Sequence, residues 1–362
     1  MLPTAADGRR SFKMSGVYQC VRVAYIYPKG RPDSSFHMAA EEYIRMLPVY
    51  VDRVDDKEIN NVNINSYDLI FIHPFFYSVM QNNYNKVIKT VMNRVVAVDV
   101  ADSNAICREC ANLVNQTLGF VVPSYWSLSI YYKSGVKVPG YVWPHPLDDF
   151  WFSDEEPECE LDLPEGGVKI LFFVLHSFRR KGGDILARAL EEHQRRGVKF
   201  SLVVRAPDEG GDHAVFKKFG AVYVKDFLSR ECLKKLYMWA DAVPVPSRGG
   251  GFERNFYEAL ASGTPAFAPK YGPWIEHLHP VLFGMLTLEV VRWEPPLPGN
   301  YIHVGLGPVA SHVDLADKLE RAVELKEEVK KYKSWLKERL SFRSVEVFVR
   351  RDFLQILNRI SL

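Results

Sequence analysis

Between residues 246 and 265 the chain reads Pro246-Ser247-Arg248-Gly249-Gly250-Gly251-Phe252-Glu253-Arg254-Asn255-Phe256-Tyr257-Glu258-Ala259-Leu260-Ala261-Ser262-Gly263-Thr264-Pro265, the pattern of a strand end, a glycine loop, a short helix and a further strand. The chemistry such a stretch suits is phosphate binding. Three consecutive glycines are expected to let the backbone turn with positive φ and come close to a ligand, while the helix start offers unpaired N–H groups and a positive dipole end. A glycine loop alone fits a plain strand-to-helix turn equally well. A basic run, Arg179-Arg180-Lys181-Gly182-Gly183-Asp184, lies upstream. Such residues beside a turn are either solvated or aimed at an anion. His73, Asp99, Asp102 and Ser124 fall at or just beyond the ends of apolar runs, where hydrogen bonding or proton transfer would be available. Asp102, followed by Ser103-Asn104, also reads as a helix N-cap. Asp99 and Asp102 are spaced Asp-x-x-Asp, not as the metal-binding Asp-x-Asp, and no metal is expected. Cys107 and Cys110 form one CxxC with no second pair, which reads as structural cysteine rather than a metal site.

These residues need elements to hold them. Val21 to Tyr27, Tyr67 to Ile72, Val95 to Val100 and Phe120 to Val122 read as strands, and the segments between them as loops and amphipathic helices. Ala40, Ile44 and Leu47 share one helical face. A second series begins at Ile170 to Leu175 and continues with Phe200 to Arg205, Ala221 to Val224, Ala242 to Pro246 and Pro265 to Pro269. Helices fit Gly183 to Arg196, a segment after Ser229 as N-cap, and Asn255 to Ser262 stopped by Gly263. Continuous apolar strands alternating with helices imply parallel sheets covered on both faces, with ligands beyond the carboxyl ends of the strands. The fold class is therefore α/β with doubly wound parallel sheets. The expected domains are a loose tail at 1–19, an N-terminal Rossmann-like domain at 20–148, an acidic linker at 149–167, a C-terminal Rossmann-like domain at 168–340, and a terminal helix at 341–362 that can pack back on the first domain. The linker's carboxylates read as a solvated connector with no catalytic role.

Composition narrows the partners. With 46 basic and 44 acidic residues the net charge is +2, so no global field argues for nucleic acid, and any anion site must be local. Five cysteines in 362 residues do not read as a disulfide framework, and the first residues lack the order of a secretory leader, so a cytoplasmic location is expected. No apolar run is long enough to span a bilayer. Aromatic residues around Tyr125, Trp126, Tyr131, Tyr132, Tyr141 and Trp143 read mainly as helix core, with peripheral membrane contact as the outer limit.

In sequence order these motifs resemble the retaining glycosyltransferases of the GT-B fold, family 4-like, a group that includes glycogen synthases and lipopolysaccharide glycosyltransferases. The resemblance rests on Arg179-Arg180-Lys181-Gly182-Gly183-Asp184 after a strand, on Pro246-Ser247 closing another, and on Gly251-Phe252 with Glu258-Ala259-Leu260-Ala261-Ser262-Gly263-Thr264-Pro265. Gly272 with Glu276, and Trp143-Pro144-His145-Pro146-Leu147-Asp148, add to it. It covers most of the chain beyond residue 20. It implies two facing Rossmann-like domains and transfer of a sugar from a nucleotide diphosphate sugar to a glycan, lipid or protein acceptor, with retention of configuration and with neither metal nor further cofactor. Within that resemblance Arg180 and Lys181 would hold the diphosphate, with the amides of Gly251 and Phe252 serving the distal phosphate. Glu258 would accept from the ribose hydroxyls and His73 would orient the donor sugar; by their place at a strand end, Asp99 and Asp102 could bind acceptor hydroxyls or accept a proton. The family's first glutamate falls on Gly250, which has no carboxylate. Glu253 either substitutes for it in a reshaped loop or is favourable charge at a helix start. Two functions follow: a working glycosyltransferase, or a protein that binds nucleotide sugars as a scaffold without transfer.

Overall fold

The computed structural model describes residues 11–14, 17–32, 34–81, 88–175 and 177–360, so residues 1–10 and 15–16 of the expected tail, and the last two residues of the terminal helix, lie outside the described residues. Within that tail Ser11–Met14 (β1) and Val17–Cys20 (β2) pair antiparallel, which the sequence reading did not expect. The chain divides into two compact units.

The first unit comprises the described residues up to Val100, Ile106–His145 and the terminal segment from Arg343. Val23–Tyr27 (β3), Val51–Asp55 (β4), Leu69–Ile72 (β5), Val95–Val98 (β6), Gly119–Val122 (β7) and Gly140–Val142 (β8) form a six-stranded sheet in the order β4-β3-β5-β6-β7-β8, and every pairing is parallel. All residues of β3, β5, β6 and β7 are buried, as strands covered on both faces must be. The two strands that the apolar-run reading missed, β4 and β8, are the sheet edges. Three of the five residues of β4 are not fully buried, and Asp52 and Arg53 interrupt its apolar signal; β8 is only three residues long. The helix Phe342–Ile360 turns Val345, Val349, Phe353, Ile356 and Leu357 inward. It belongs to this unit, where Phe353 stacks on Phe71 and Trp143 Nε1 donates to Asp352 at 3.3 Å.

The second unit is Pro146–Phe342 together with a short segment from far upstream, Ala101–Ala105. Val168–Phe173 (β9), Phe200–Arg205 (β10) and Val222–Val224 (β11) form one parallel sheet, and Val243–Pro244 (β12), Ala266–Pro269 (β13) and Thr287–Leu288 (β14) another. A parallel bridge between Ile170 and Ala242 links β9 to the start of β12. Val290–Glu294 (β15) and Gly307–Ala310 (β16) add an antiparallel hairpin whose long Pro-rich loop has no counterpart in the sequence reading.

Between 149 and 167 the acidic residues Asp154, Glu155, Glu156, Glu158 and Glu160 are exposed, as in a solvated connector, but the segment's apolar residues are packed. Asp149–Phe152 is a helix whose Trp151 and Phe152 join the second unit's core, and Leu161 and Leu163 pack against that core. Asp149, Asp154 and Glu156 pair with Lys337, Lys333 and Lys235, so the acidic run is laid onto a basic surface. Cys159 is bonded to Cys232, and Cys107 to Cys110, so four of the five cysteines are bridged although their number did not read as a disulfide framework. A separation of 73 residues hid the first pair from spacing arguments.

Candidate functional site

The carboxyl ends of β9 and β12 bring the two motifs of the second unit together. After β9 the chain turns through Arg179–Gly182, and Gly182 in the left-handed conformation (φ 75°) starts the helix Gly183–Arg196. A Cβ there would lie 2.2 Å from the Pro246 carbonyl oxygen, so the glycine lets the basic turn press against the end of the β12 segment. The Arg248 amide donates to the Arg180 carbonyl at 2.7 Å, joining the turns through their backbones.

Arg248, which the sequence reading passed over, is the structural centre. Its side chain is fully buried, forms a two-pronged pair with Asp184 (2.7 Å at both oxygens) and donates to the Arg179 carbonyl at 2.5 Å. Burial alone would raise the Asp184 pKa, but the Arg248 hydrogen bonds and charge outweigh it and hold it low. Both residues stood inside the quoted motifs, and an arginine within a glycine run was the available signal.

None of Gly249, Gly250 or Gly251 has positive φ, contrary to expectation; the left-handed residue of this loop is Glu253 (φ 57°, ψ 70°). Two of the glycines admit protein atoms. A Cβ on Gly249 would lie 1.9 Å from the Asp102 carbonyl oxygen, and one on Gly250 would lie 2.6 Å from Glu253 Oε1. The loop is thus reshaped so that a carboxylate from position 253 occupies the space over Gly250. That carboxylate, only 2% exposed, takes both its oxygens to Lys181 Nζ, at 2.8 and 2.6 Å. Burial pulls the Lys181 pKa down, and the Glu253 charge opposes it.

Arg180 lies beside this pair. Its Nη1 donates to the Gly249 carbonyl at 2.9 Å and approaches Asp102 Oδ1 at 3.7 Å. Asp102 is therefore part of the second unit's site and does not cap a helix; the next helix, Arg108–Val114, is capped by Cys107. Phe252 packs its ring on Tyr257 (centroids 4.8 Å apart) and near His277, which anchors the loop from below. Glu258 lies in the helix Arg254–Ala261, is buried, and accepts from the Tyr237 hydroxyl at 2.9 Å. Burial and the Glu258 charge push the Tyr237 pKa well up, so the hydroxyl stays a donor. Ser229 caps the helix that carries Tyr237, with its Oγ accepting from the Cys232 amide at 3.2 Å.

Beyond this cluster a cleft of about 470 Å³ is lined by Arg179, Arg180, Asp212, Pro296, Asn300 and Tyr301 among others. Its far wall is the loop between β15 and β16. That loop and the segment Ala101–Ala105 are stitched together: Asn104 donates its amide to the Leu306 carbonyl at 2.9 Å and its Oδ1 accepts from the Leu306 amide at 2.7 Å.

The first unit's candidates are of a different kind. His73, at the end of β5, is buried among Tyr25, Phe36 and Tyr43, and the Tyr25 hydroxyl lies 3.3 Å from its Nδ1. Burial pushes its pKa down to about 3, so the ring is neutral at ordinary pH and suited to hydrogen bonding rather than proton transfer. Asp99, also buried, accepts from the amides of Phe76 (2.7 Å) and Val100 (2.8 Å), one on each oxygen, and so braces two loops.

No protein-family model matches the chain. It is 28% identical to protein 356 of Sulfolobus islandicus rod-shaped virus 1, over 94% of this chain and 99% of that protein. It is also 28% identical, over 63% of each chain, to a protein of a Sulfolobus islandicus filamentous virus provisionally named glycosyltransferase 45. Among solved structures it is similar to the Anabaena protein HepE in complex with UDP-glucose, with a TM-score of 0.64 at 13% identity, covering 92% of this chain and 99% of that one. Sucrose-phosphate synthase from Thermosynechococcus elongatus gives a TM-score of 0.63 at 14% identity, covering 93% and 99%. These neighbours are GT-B glycosyltransferases, and the likeness, spanning nearly the whole of each chain, shows that this protein has the GT-B fold.

Proposed function

We propose that the chain is a glycosyltransferase that takes its sugar from a nucleotide diphosphate sugar held mainly by the second unit. The observation that carries this reading is that Arg180 and Lys181 bond to Gly249 and Glu253 of the glycine loop beyond the carboxyl ends of parallel strands. HepE, which has the same fold, is solved with UDP and with UDP-glucose, which supports a nucleotide-sugar donor here. When the bond to the leaving diphosphate breaks, negative charge grows on its oxygens. Arg180 offers a fork and Lys181 a compact charge there, with the amides of Gly251 and Phe252 toward the distal phosphate, and this needs no metal. Lys181 must then share its charge between Glu253 and the phosphate. Glu253 remains over Gly250 and supplies the carboxylate that position 250 lacks. Glu258, fixed by Tyr237, accepts from the ribose diol. His73 serves as a neutral hydrogen-bonding group, and retention of configuration is part of the proposal.

Calorimetry with a panel of nucleotide diphosphates and their sugars tests the donor site, and the absence of binding across the panel overturns it. Proton NMR of the product anomer tests transfer and retention together. Gly250 favours a second reading, nucleotide-sugar binding without transfer, for which the same NMR would show donor bound but unconsumed with every acceptor tried. Among the described residues no helix is long and apolar enough to cross a membrane. The proposed cytoplasmic location is set against the two disulfides, which are uncommon in reducing compartments. Alkylation of free thiols in whole cells distinguishes the two.

A further inference from the structure

The loop between β15 and β16 carries a buried hydrogen-bond donor with no acceptor among the described residues. His303 is 2% exposed, and its backbone is pinned by Asn300, whose Oδ1 accepts from the amides of Ile302 (2.9 Å) and His303 (2.8 Å). The Asp102 amide donates to His303 Nδ1 at 3.2 Å. A ring nitrogen that accepts cannot carry the proton, so in the neutral ring the hydrogen is on Nε2. Nε2 is buried and has no hydrogen-bond partner among the described residues. Leaving such a donor unsatisfied is costly, and native structures rarely do so without a ligand, ion or water to complete it.

The surroundings say what would complete it. His303 feels the charges of both Asp102 and Arg180, and Asp102 Oδ1 is 3.7 Å from Arg180 Nη1. Burial and the Arg180 charge lower the pKa of the ring, which keeps it neutral and keeps Nδ1 available to Asp102. The neighbourhood is built tightly: Gly249 admits the Asp102 carbonyl and Pro296, and a Cβ on Gly307 would lie 1.6 Å from the Arg248 carbonyl oxygen. Both flanks of His303 are thus pressed onto the glycine loop. A neutral N–H donor linked to a guanidinium through Asp102, which holds the ring at 3.2 Å and approaches Arg180 at 3.7 Å, suits an oxyanion, since it adds a directed bond without competing for the cation's charge.

We propose that His303 is a binding residue of the donor site, its Nε2–H donating to a phosphate oxygen of a nucleoside diphosphate alongside Arg180. This rests on the donor-site reading above and adds to it a residue from outside the glycine loop and the basic turn.

Two substitutions separate the roles of the ring's nitrogens. In His303→Asn the side-chain oxygen can replace Nδ1 and keep the Asp102 bond, but nothing replaces Nε2–H. In His303→Gln the longer amide can place an N–H near the Nε2 position. With whole protein and calorimetric titration of the nucleoside diphosphate that binds wild type most tightly, His303→Asn is expected to weaken affinity about tenfold to a hundredfold, with an unchanged melting temperature. His303→Gln is expected to recover most of it. In protein carrying ¹⁵N-histidine, the Nε2–H resonance of His303 is expected to shift on adding the same diphosphate. Equal affinity of wild type and His303→Asn, or a resonance that does not move, overturns the proposal and leaves a buried water as the partner of Nε2. If wild type binds no nucleoside diphosphate, the donor-site reading fails, and the role of His303 with it.

Discussion

Asp99, just after β6 in the first unit, and Glu253, at the start of the helix Arg254–Ala261 in the second, are both buried carboxylates, yet they are satisfied in opposite ways. Asp99 gives one oxygen to each of two backbone amides, partners that cannot leave without unfolding the loops they belong to. Glu253 gives both oxygens to one lysine side chain, a partner that can be shared with an incoming anion. His73 extends the contrast, being buried neutral among aromatic rings, whereas the second unit's candidates are charged and paired. The first unit spends its polar groups on shape, and the second keeps ionic bonds that a ligand can rearrange.

The sharpest way to break this contrast is to remove one side of the ionic pair. Lys181→Met strands a buried carboxylate and is expected to cost about 3–5 kcal/mol in urea unfolding, while Lys181→Met with Glu253→Gln recovers most of that. A double variant no more stable than the single would show that the pair does not act as a unit. The disulfides give the next largest effect and again divide by unit. Replacing Cys159 and Cys232 by serine should lower stability by about 2–4 kcal/mol, because that bond closes a long loop. Replacing Cys107 and Cys110 should cost about half as much, because theirs closes a short one. Equal losses in chemical denaturation would overturn the loop-length argument.

Titration sharpens the neutral side of the contrast. The His73 pKa falls from an ordinary 6.5 to about 3, so above pH 6.5 the ring is neutral folded or unfolded and its contribution is constant. Below pH 6.5 the unfolded chain takes up a proton that the fold refuses. Stability therefore falls with pH by up to about 1.4 kcal/mol per unit until pH 3. His277, pushed down to about 4 by burial, acts in the same direction over a narrower range. His73→Asn should flatten the slope measured between pH 4 and 6. The smallest expected effect is at Asp99. Asp99→Asn keeps one acceptor oxygen and loses the other, and about 1–2 kcal/mol in thermal unfolding would mark it as a brace.

The sequence made much of this legible, and what escaped it has identifiable causes. The buried strands announced themselves through uninterrupted apolar runs, and the helix Gly183–Arg196 has the bounds read from the sequence. The edge strands did not, because Asp52 and Arg53 interrupt β4 and β8 spans only three residues. Arg180, Lys181, Phe252 and Glu258 sat in motifs whose spacing survives into the fold. The conformation of the glycine loop did not follow from composition: the glycines are there for the close approach of Asp102 and Glu253, and the unusual dihedrals fall on a glutamate. His303 gave no local sign at all. Its role depends on a contact with Asp102 across 201 positions, and nothing in the residues around it encodes that distance.

The segment Ala101–Ala105 has a consequence for anyone who would divide this protein. It lies deep in the first half of the gene, yet its Asn104 pairs with Leu306 on both edges and its Asp102 covers Gly249. A second half expressed from residue 146 onward would have its glycine loop uncovered and the Leu306 amide and carbonyl without Asn104. A short synthetic peptide spanning residues 100–106, added in trans, would be the natural complement to such a truncated half.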